Sequence, residues 1–210
     1  MHEKRPQLLR VSVQPDEELE CPSDWGGWKL YSFSTRHGSY KHPSDLGFEG
    51  SFGDMSIGLR RKLTKGTAFL LSYYEHSGCI WMVKNGHVPA GVEFQWDGTL
   101  NAGLLVWAQP VANLGAKTYE ARFKDAENFC QAYTDWANGY GFWFAVEDED
   151  GEWVDSCGGF LGDPATSGLA EAVAEAIGDS EYEVVGDDYG YLTHDIDAAV
   201  KRYRAKAVSA

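Results

Sequence analysis

The sequence predicts an α+β protein with a largely antiparallel sheet and three or four helices. Short apolar and aromatic runs alternate with Gly- and Asn-containing turns between residues 67 and 108, which is typical of an antiparallel meander. Apolar residues recur at helical spacing in residues 125–138. After this helix the chain alternates between hairpin, helix and strand patterns. Segregated strands and helices of this kind favour the α+β class.

The first half of the chain is predicted to be mainly β. Two strands over residues 8–13 and 28–33 precede a long irregular segment at 34–53, and loops of this length are often functional. A short helix follows, with Ser56 as its N-cap and Gly66 just beyond its end. Four strands of the meander are then predicted, at residues 67–74, 79–83, 92–96 and 103–108.

The second half is predicted to contain a helix, a hairpin, a helix, a strand and a helix. The first of these helices covers residues 125–138, where Asp125 suits the N-terminal cap and Gly139 the end. The hairpin crosses an acidic turn at residues 147–152, and the next helix has Ser167 as its N-cap. The remaining elements are helices at residues 169–177 and 196–207 and a strand at 181–185.

The negative charge of the chain is concentrated in its second half. Residues 1–115 contribute little to the net charge of −14, because they contain twelve Asp and Glu against eleven Lys and Arg. Residues 116–210 contain twenty acidic residues against seven basic ones. We therefore expect either one compact domain over residues 1–210 or two packed lobes, a near-neutral, mainly β lobe at 1–112 and an acidic α+β lobe at 113–210.

Nothing in the sequence indicates secretion or membrane insertion. The first residues lack the pattern of a secretory signal, and no stretch of about 18 apolar residues occurs. The four cysteines form no CxxC pair, which is typical of reduced thiols in a cytosolic protein. We therefore expect a cytoplasmic protein without a membrane partner.

The strongest functional signal is the segment from Asp125 to Val200, which contains nineteen Asp or Glu and no Lys or Arg. Proteins that grip DNA present Lys and Arg to its phosphates, so folded carboxylates can occupy such a groove instead of DNA. This predicts non-catalytic binding to a protein with a basic groove, such as a nuclease or a restriction or defence complex. An acidic surface that only maintains solubility is the alternative. The expected contact residues are Glu147, Asp148, Glu149, Asp150, Glu152, Asp155, Asp187 and Asp188.

A second hypothesis is direct nucleic-acid binding through the basic part of the first half. Basic and aromatic side chains suited to phosphates and to stacking on bases occur between residues 34 and 65. The negative charge of the whole chain disfavours this interpretation, because it repels nucleic acid. The residues concerned are Arg36, His37, Tyr40, Lys41, Arg60, Arg61 and Lys62.

No pattern of catalytic or metal-binding residues is recognisable. The P-loop, nucleophile-elbow and dinucleotide motifs do not occur, so no catalytic residue and no cofactor is assigned. When Gly151 is aligned to position six of an EF-hand loop, Val146 and Cys157 take two of the ligand positions, so no metal ligand is assigned. A metal-dependent hydrolase assembled from distant residues is the third hypothesis. The eight Trp equally suit a homodimer interface.

Two parts of the chain resemble small acidic proteins of phages and their bacterial hosts. In FCQAYTDWANGYGFWFAVEDEDGEWVDSCGGFLG, at residues 129–162, a helix ending near Trp-x-Asn-Gly leads to a strand, an acidic turn and an Asp-Ser-Cys strand. The other part comprises WKLYSFS from Trp28 and KHPSD from Lys41. The resemblance implies a phage-encoded protein in the cytoplasm of a bacterial host cell and assigns no activity. In composition the chain is also similar to DNA-mimic antirestriction and anti-CRISPR proteins.

Overall fold

A computed structural model describes residues 8–48, 54–185 and 191–207 and confirms the α+β class, with two four-stranded sheets. The strands are β1 (Leu8–Pro15), β2 (Trp28–Ser32), β3 (Ala68–Glu75), β4 (Cys79–Val83), β5 (Gly98–Trp107), β6 (Gly141–Glu147), β7 (Trp153–Leu161) and β8 (Glu181–Val185). The helices are α1 (Ile57–Thr64), α2 (Phe94–Asp97), α3 (Tyr119–Ala137), α4 (Leu169–Ile177) and α5 (Tyr191–Ala207).

The chain forms two compact units that are not consecutive in sequence. Unit 1 comprises Met1–Leu19 and Gly139–Ala210, and unit 2 comprises Glu20–Asn138. The first strand therefore belongs with the C-terminal half of the chain. This division differs from the predicted lobes at residues 1–112 and 113–210, because strand pairing groups segments that are far apart in sequence.

The sheet of unit 1 has the strand order β7-β6-β1-β8, and α4 and α5 pack on one of its faces. β1 pairs antiparallel with β6 and parallel with β8. Alternate residues of the central strands, including Val11, Phe144 and Val146, form the core with the two helices. The intervening residues lie on the opposite side of the sheet, which we call the outer face.

The sheet of unit 2 has the strand order β2-β5-β3-β4, and all neighbouring strands are antiparallel. On one face α3 packs against a core that includes Leu71 and Leu105. On the other face Leu59 of α1 packs against Ala68 and Leu104. Because both faces are covered, β3 and β5 contain consecutive apolar residues instead of a strict alternation.

The prediction of a third meander strand at residues 92–96 is wrong. Phe94–Asp97 forms α2, and the fourth strand of this sheet is β2. β5 pairs with β2 on one side and with β3 on the other, so both of its edges are occupied without a strand at 92–96. Local alternation alone could not distinguish these arrangements.

Helix α3 begins six residues before the predicted start at Asp125. Its N-cap is Thr118, whose side chain accepts a hydrogen bond from the backbone nitrogen of Ala121 at 3.1 Å. Asp125 lies inside the helix, and its carboxylate accepts a hydrogen bond from Nε1 of Trp28 at 2.8 Å. The predicted cap residue therefore joins α3 to β2.

The other predicted helix ends are partly confirmed. Ser56 caps α1, because its Oγ accepts a hydrogen bond from the backbone nitrogen of Leu59 at 3.2 Å. Helix α4 is preceded instead by Gly168 in the left-handed conformation, so the prediction of Ser167 as its N-cap is wrong. Helix α5 begins at Tyr191, five residues earlier than predicted.

The edge strand β4 is closed by side chains of α3 and of its C-cap residue Asn138. Thr134 Oγ1 accepts a hydrogen bond from the backbone nitrogen of Trp81 at 2.9 Å. Asn138 accepts one from the nitrogen of Cys79 at 2.8 Å and donates one to its carbonyl oxygen at 2.7 Å. These outward-facing backbone groups would otherwise be available for pairing with another chain.

Candidate functional site

The acidic turn joins β6 to β7 as predicted, and its carboxylates have different roles. Asp148 Oδ1 accepts hydrogen bonds from the backbone nitrogens of Asp150, at 3.0 Å, and Glu152, at 2.9 Å. Glu149 Oε1 accepts one from the backbone nitrogen of Leu8 at 3.1 Å. Asp148 therefore holds the turn in shape, whereas the side chains of Asp150 and Glu152 are exposed to solvent.

A row of four residues crosses the outer face of unit 1, one from each strand. Glu147 lies opposite Trp153 on one side and Arg10 on the other, and Arg10 lies opposite Glu183. Arg10 Nε is 3.0 Å from Glu183 Oε1, and both side chains are about half exposed. One cation therefore lies between two carboxylates on neighbouring strands.

Trp153, at one end of this row, forms an aromatic patch with Trp143. The ring centroids of Trp143 and Trp153 are 6.0 Å apart with an angle of 31° between the planes. Trp153 is 63% exposed. Arg and Lys side chains bind aromatic faces and carboxylates, so this combination suits a cationic partner. We define the acidic–aromatic surface as Trp143, Glu147, Asp150, Glu152, Trp153 and Glu183.

The remaining predicted contact residues lie elsewhere or are not described. Asp155 pairs with Val146, whose side chain is in the helix-covered core, so Asp155 lies away from the row. Asp187 and Asp188 lie outside the described residues. Sequence reasoning missed Glu183, which joins the site only through the pairing of β8 with β1. It also missed the two tryptophans, which come together through the register of the β6–β7 hairpin.

The described carboxylates of residues 125–200 belong to both units, and within unit 1 they lie on both sides of the sheet. Asp125, Glu127 and Asp135 belong to α3 in unit 2. Within unit 1, the exposed Glu171 and Glu175 lie on α4, on the opposite side of the sheet from the outer face. The surface around the β6–β7 turn therefore contains only some of the carboxylates described for unit 1.

The charge nevertheless segregates sharply between the units. Unit 1 contains twenty Asp and Glu against seven Lys and Arg, a net charge of −13. Unit 2 contains twelve acidic and eleven basic residues, a net charge of −1. Almost all of the net negative charge therefore belongs to unit 1, although this unit is built from two separate segments of the chain.

The basic residues of the second hypothesis fall in two places in unit 2. One group is exposed on α1, on the sheet face opposite α3. The other follows β2, where the nitrogen of Lys41 donates a hydrogen bond to the carbonyl oxygen of Ser32 at 3.0 Å. The first group comprises Arg60, Arg61 and Lys62, and the second comprises Arg36, His37, Tyr40 and Lys41.

Burial lowers the pKa of His37 below its ordinary value of 6.5. Its Nδ1 accepts a hydrogen bond from the backbone nitrogen of Ser39 at 3.1 Å, which requires this nitrogen to be unprotonated. The folded state therefore favours the neutral ring. The resulting stability is complete above pH 6.5 and is lost as the pH falls through the lower pKa of the folded state.

We expect an NMR titration of the His37 ring to give a midpoint below 6.5. The free energy of unfolding should also fall less between about pH 7 and pH 5 in His37→Gln than in the unsubstituted protein, because glutamine does not titrate there. A His37 midpoint at or above 6.5 would contradict the neutral, hydrogen-bonded ring.

Two further properties concern the described ranges 8–48, 54–185 and 191–207. Within them, no group of three or more His, Cys, Asp or Glu is placed to hold a metal ion. No helix in these ranges is long and apolar enough to span a membrane. All four cysteines are free thiols.

No protein-family model, curated protein or solved structure matches the chain. The resemblance to small acidic phage proteins therefore stays a prediction.

Proposed function

We propose that the protein is a non-catalytic binding protein whose acidic–aromatic surface engages a basic groove of a nucleic-acid-handling or host-defence protein. It would act as a DNA mimic or inhibitor, encoded by a phage and working in the bacterial cytoplasm. The observation that carries the proposal is the net charge of −13 in the same unit that presents the exposed Trp153, stacked near Trp143, beside carboxylates.

The spacing of the carboxylates supports this proposal. Glu147 and Glu183 are separated by one strand, so their backbones lie about 10 Å apart, since neighbouring strands are about 4.8 Å apart. Asp150 and Glu152 extend the charge beyond the end of the sheet. Rows of Lys and Arg that normally neutralise DNA phosphates can pair with such carboxylates instead. Trp153 adds a large exposed side chain of the type that dominates binding energy at interfaces.

Charge reversal at the turn should abolish partner binding. We expect Asp150→Lys with Glu152→Lys to weaken the complex by about a hundredfold or more, because like charges opposed across an interface cost several kcal/mol. Both side chains are exposed and neither holds the turn. Asp148 is unsuitable for this test, because its substitution would remove the hydrogen bonds that shape the turn.

The matched control is Glu171→Lys with Glu175→Lys, which changes the net charge equally on the helix-covered side of unit 1. Partners captured from bacterial lysate at low salt are identified, purified and titrated against both variants, with duplex DNA as competitor. We expect the captured partner to be a nucleic-acid-handling protein that duplex DNA displaces. Its binding should be lost in the turn variant and retained in the control variant. Equal loss in both variants, or binding that DNA does not displace, would contradict it.

A further inference from the structure

We propose that a cleft in unit 2 binds a nucleotide, that is, a planar base carrying a phosphate group. The cleft has a volume of about 580 Å³ and lies where β2, β3, β4 and β5 meet the segment after β2. Its volume is in the range of small-molecule sites, which is about 300–1,000 Å³. This inference is independent of the function proposed for unit 1, because all the lining residues belong to unit 2.

Aromatic rings form the wall of the cleft on which a base can stack. Trp81 is only 3% exposed, and its ring lies 4.6 Å from that of Tyr73 and 5.3 Å, edge-on, from that of His37. Phe33, Tyr73 and His37 are partly exposed and line the cleft above this buried indole. Stacking on aromatic side chains is the usual way in which proteins hold unpaired bases.

The side-chain acceptors of the cleft are largely occupied within the protein. Four of its polar side chains already accept hydrogen bonds from neighbouring residues. These bonds are Ser34 N to Ser32 Oγ (3.1 Å), Arg36 N to Ser34 Oγ (3.4 Å), Ser39 N to His37 Nδ1 (3.1 Å) and Lys84 Nζ to Asn101 Oδ1 (2.7 Å). What these side chains can still offer a ligand is mainly donors.

The donors define the acceptor-rich end of the ligand. Arg36 contributes a guanidinium group, His37 its second ring nitrogen and Asn101 its amide nitrogen. Nε1 of Trp81 is buried and has no hydrogen-bond partner among the described residues. A buried donor without a partner requires an explanation, and an acceptor atom of a bound molecule would complete its hydrogen bonding. A phosphate group supplies several strong acceptor oxygens to such a set.

Glu75 distinguishes a nucleotide from a simple aromatic anion. It lines the same cleft, and its Oε2 accepts a hydrogen bond from the hydroxyl of Tyr73 at 3.0 Å. The carboxylate would repel a ligand that is only anionic. A nucleotide also carries donors, on the amino group of its base and on its sugar hydroxyls, that this carboxylate can accept. The combination therefore fits a molecule with an anionic end and a donor-bearing planar end.

The test is an NMR titration of the full chain with adenosine monophosphate, following the indole N–H signal of Trp81, which Trp81→Phe identifies. We expect a saturable shift. Arg36→Ala should weaken adenosine monophosphate binding by about tenfold, the usual loss for a hydrogen bond to a charged group, and should leave binding of adenosine unchanged. The matched control is Arg60→Ala, which removes an equally exposed arginine from α1.

Three results would overturn the proposal. The first is the absence of a saturable shift with any of the four ribonucleoside monophosphates, of adenosine, guanosine, cytidine and uridine, up to about 10 mM, the limit of measurable weak binding. The second is an equal loss of affinity in Arg36→Ala and Arg60→Ala. The third is that adenosine binds as tightly as adenosine monophosphate. A single-stranded adenine oligonucleotide identifies the source. Tighter binding of the oligonucleotide in the same cleft assigns the nucleotide to a nucleic-acid strand, and equal or weaker binding assigns it to the free pool; both support the site.

Discussion

Replacement of Phe144 by alanine is expected to lower the free energy of unfolding of unit 1 by about 3–5 kcal/mol, the cost of truncating a fully buried phenylalanine. Phe144 is 2% exposed in β6, a central strand of the sheet. Its side chain lies in the core with α4 and α5, and its ring is 6.0 Å from that of Phe160. Truncation would leave a cavity that the rigid sheet cannot close.

The measurement is the stability of the β6 amides by native-state hydrogen exchange, which reports on unit 1 directly. Trp143→Ala is the matched control, because it removes an even larger side chain from the neighbouring residue on the outer face. We expect a clearly smaller loss of stability in Trp143→Ala than in Phe144→Ala. Equal losses in the two variants would mean that the assignment of the core face of this sheet is wrong.

Replacement of Gly103 by alanine is expected to destabilise unit 2 by about 3 kcal/mol, the upper end of the usual cost of overpacking. Gly103 lies in β5 between Ser32 of β2 and Leu71 of β3. A Cβ atom there would collide with the backbone carbonyl oxygen of Tyr31 and would lie 3.3 Å from Cζ3 of Trp81. Because backbone must move, side-chain rotation cannot relieve the collision.

Gly115→Ala provides the control, since a Cβ atom at that position has no heavy atom within 4 Å apart from its chain neighbours. The free energy of unfolding measured with urea should decrease strongly in Gly103→Ala and almost not at all in Gly115→Ala. Gly103→Ala should also shift the indole signal of Trp81, because the ring lies over this glycine. A stable Gly103→Ala protein with an unchanged Trp81 signal would contradict the packing described here.

The elements that are determined by residues close together in the sequence were predictable. The apolar spacing of α3 and α4, the Ser56 cap and the hairpin around the acidic turn are all local patterns. The partners of β1 were not predictable. It pairs with Glu181–Val185, more than 170 residues away, and alternation within a strand does not identify its neighbour. The wrong strand at residues 92–96 has the same cause.

The candidate site was predictable in position but not in detail. The density of carboxylates at residues 147–152 located the turn. That Asp148 shapes the turn whereas Asp150 and Glu152 face solvent depends on hydrogen bonds to backbone nitrogens, which composition cannot reveal. Glu183 enters the surface only because β8 lies beside β1. The segregation of charge, by contrast, was already visible in the acidic second half of the sequence.

The closure of β4 by Asn138 has a consequence for the chemical lifetime of the protein. Asn138 is followed by Gly139, and an asparagine before glycine deamidates readily, because a residue without a Cβ lets its backbone nitrogen attack the side-chain amide. The reaction would replace the amide nitrogen, now 2.7 Å from the carbonyl oxygen of Cys79 and 2.9 Å from that of Thr134, by a carboxylate oxygen. Three acceptors would then face one another. Ageing of this one side chain would thus open the end of β4 at Cys79, whereas Thr134 would still accept the hydrogen bond from the nitrogen of Trp81.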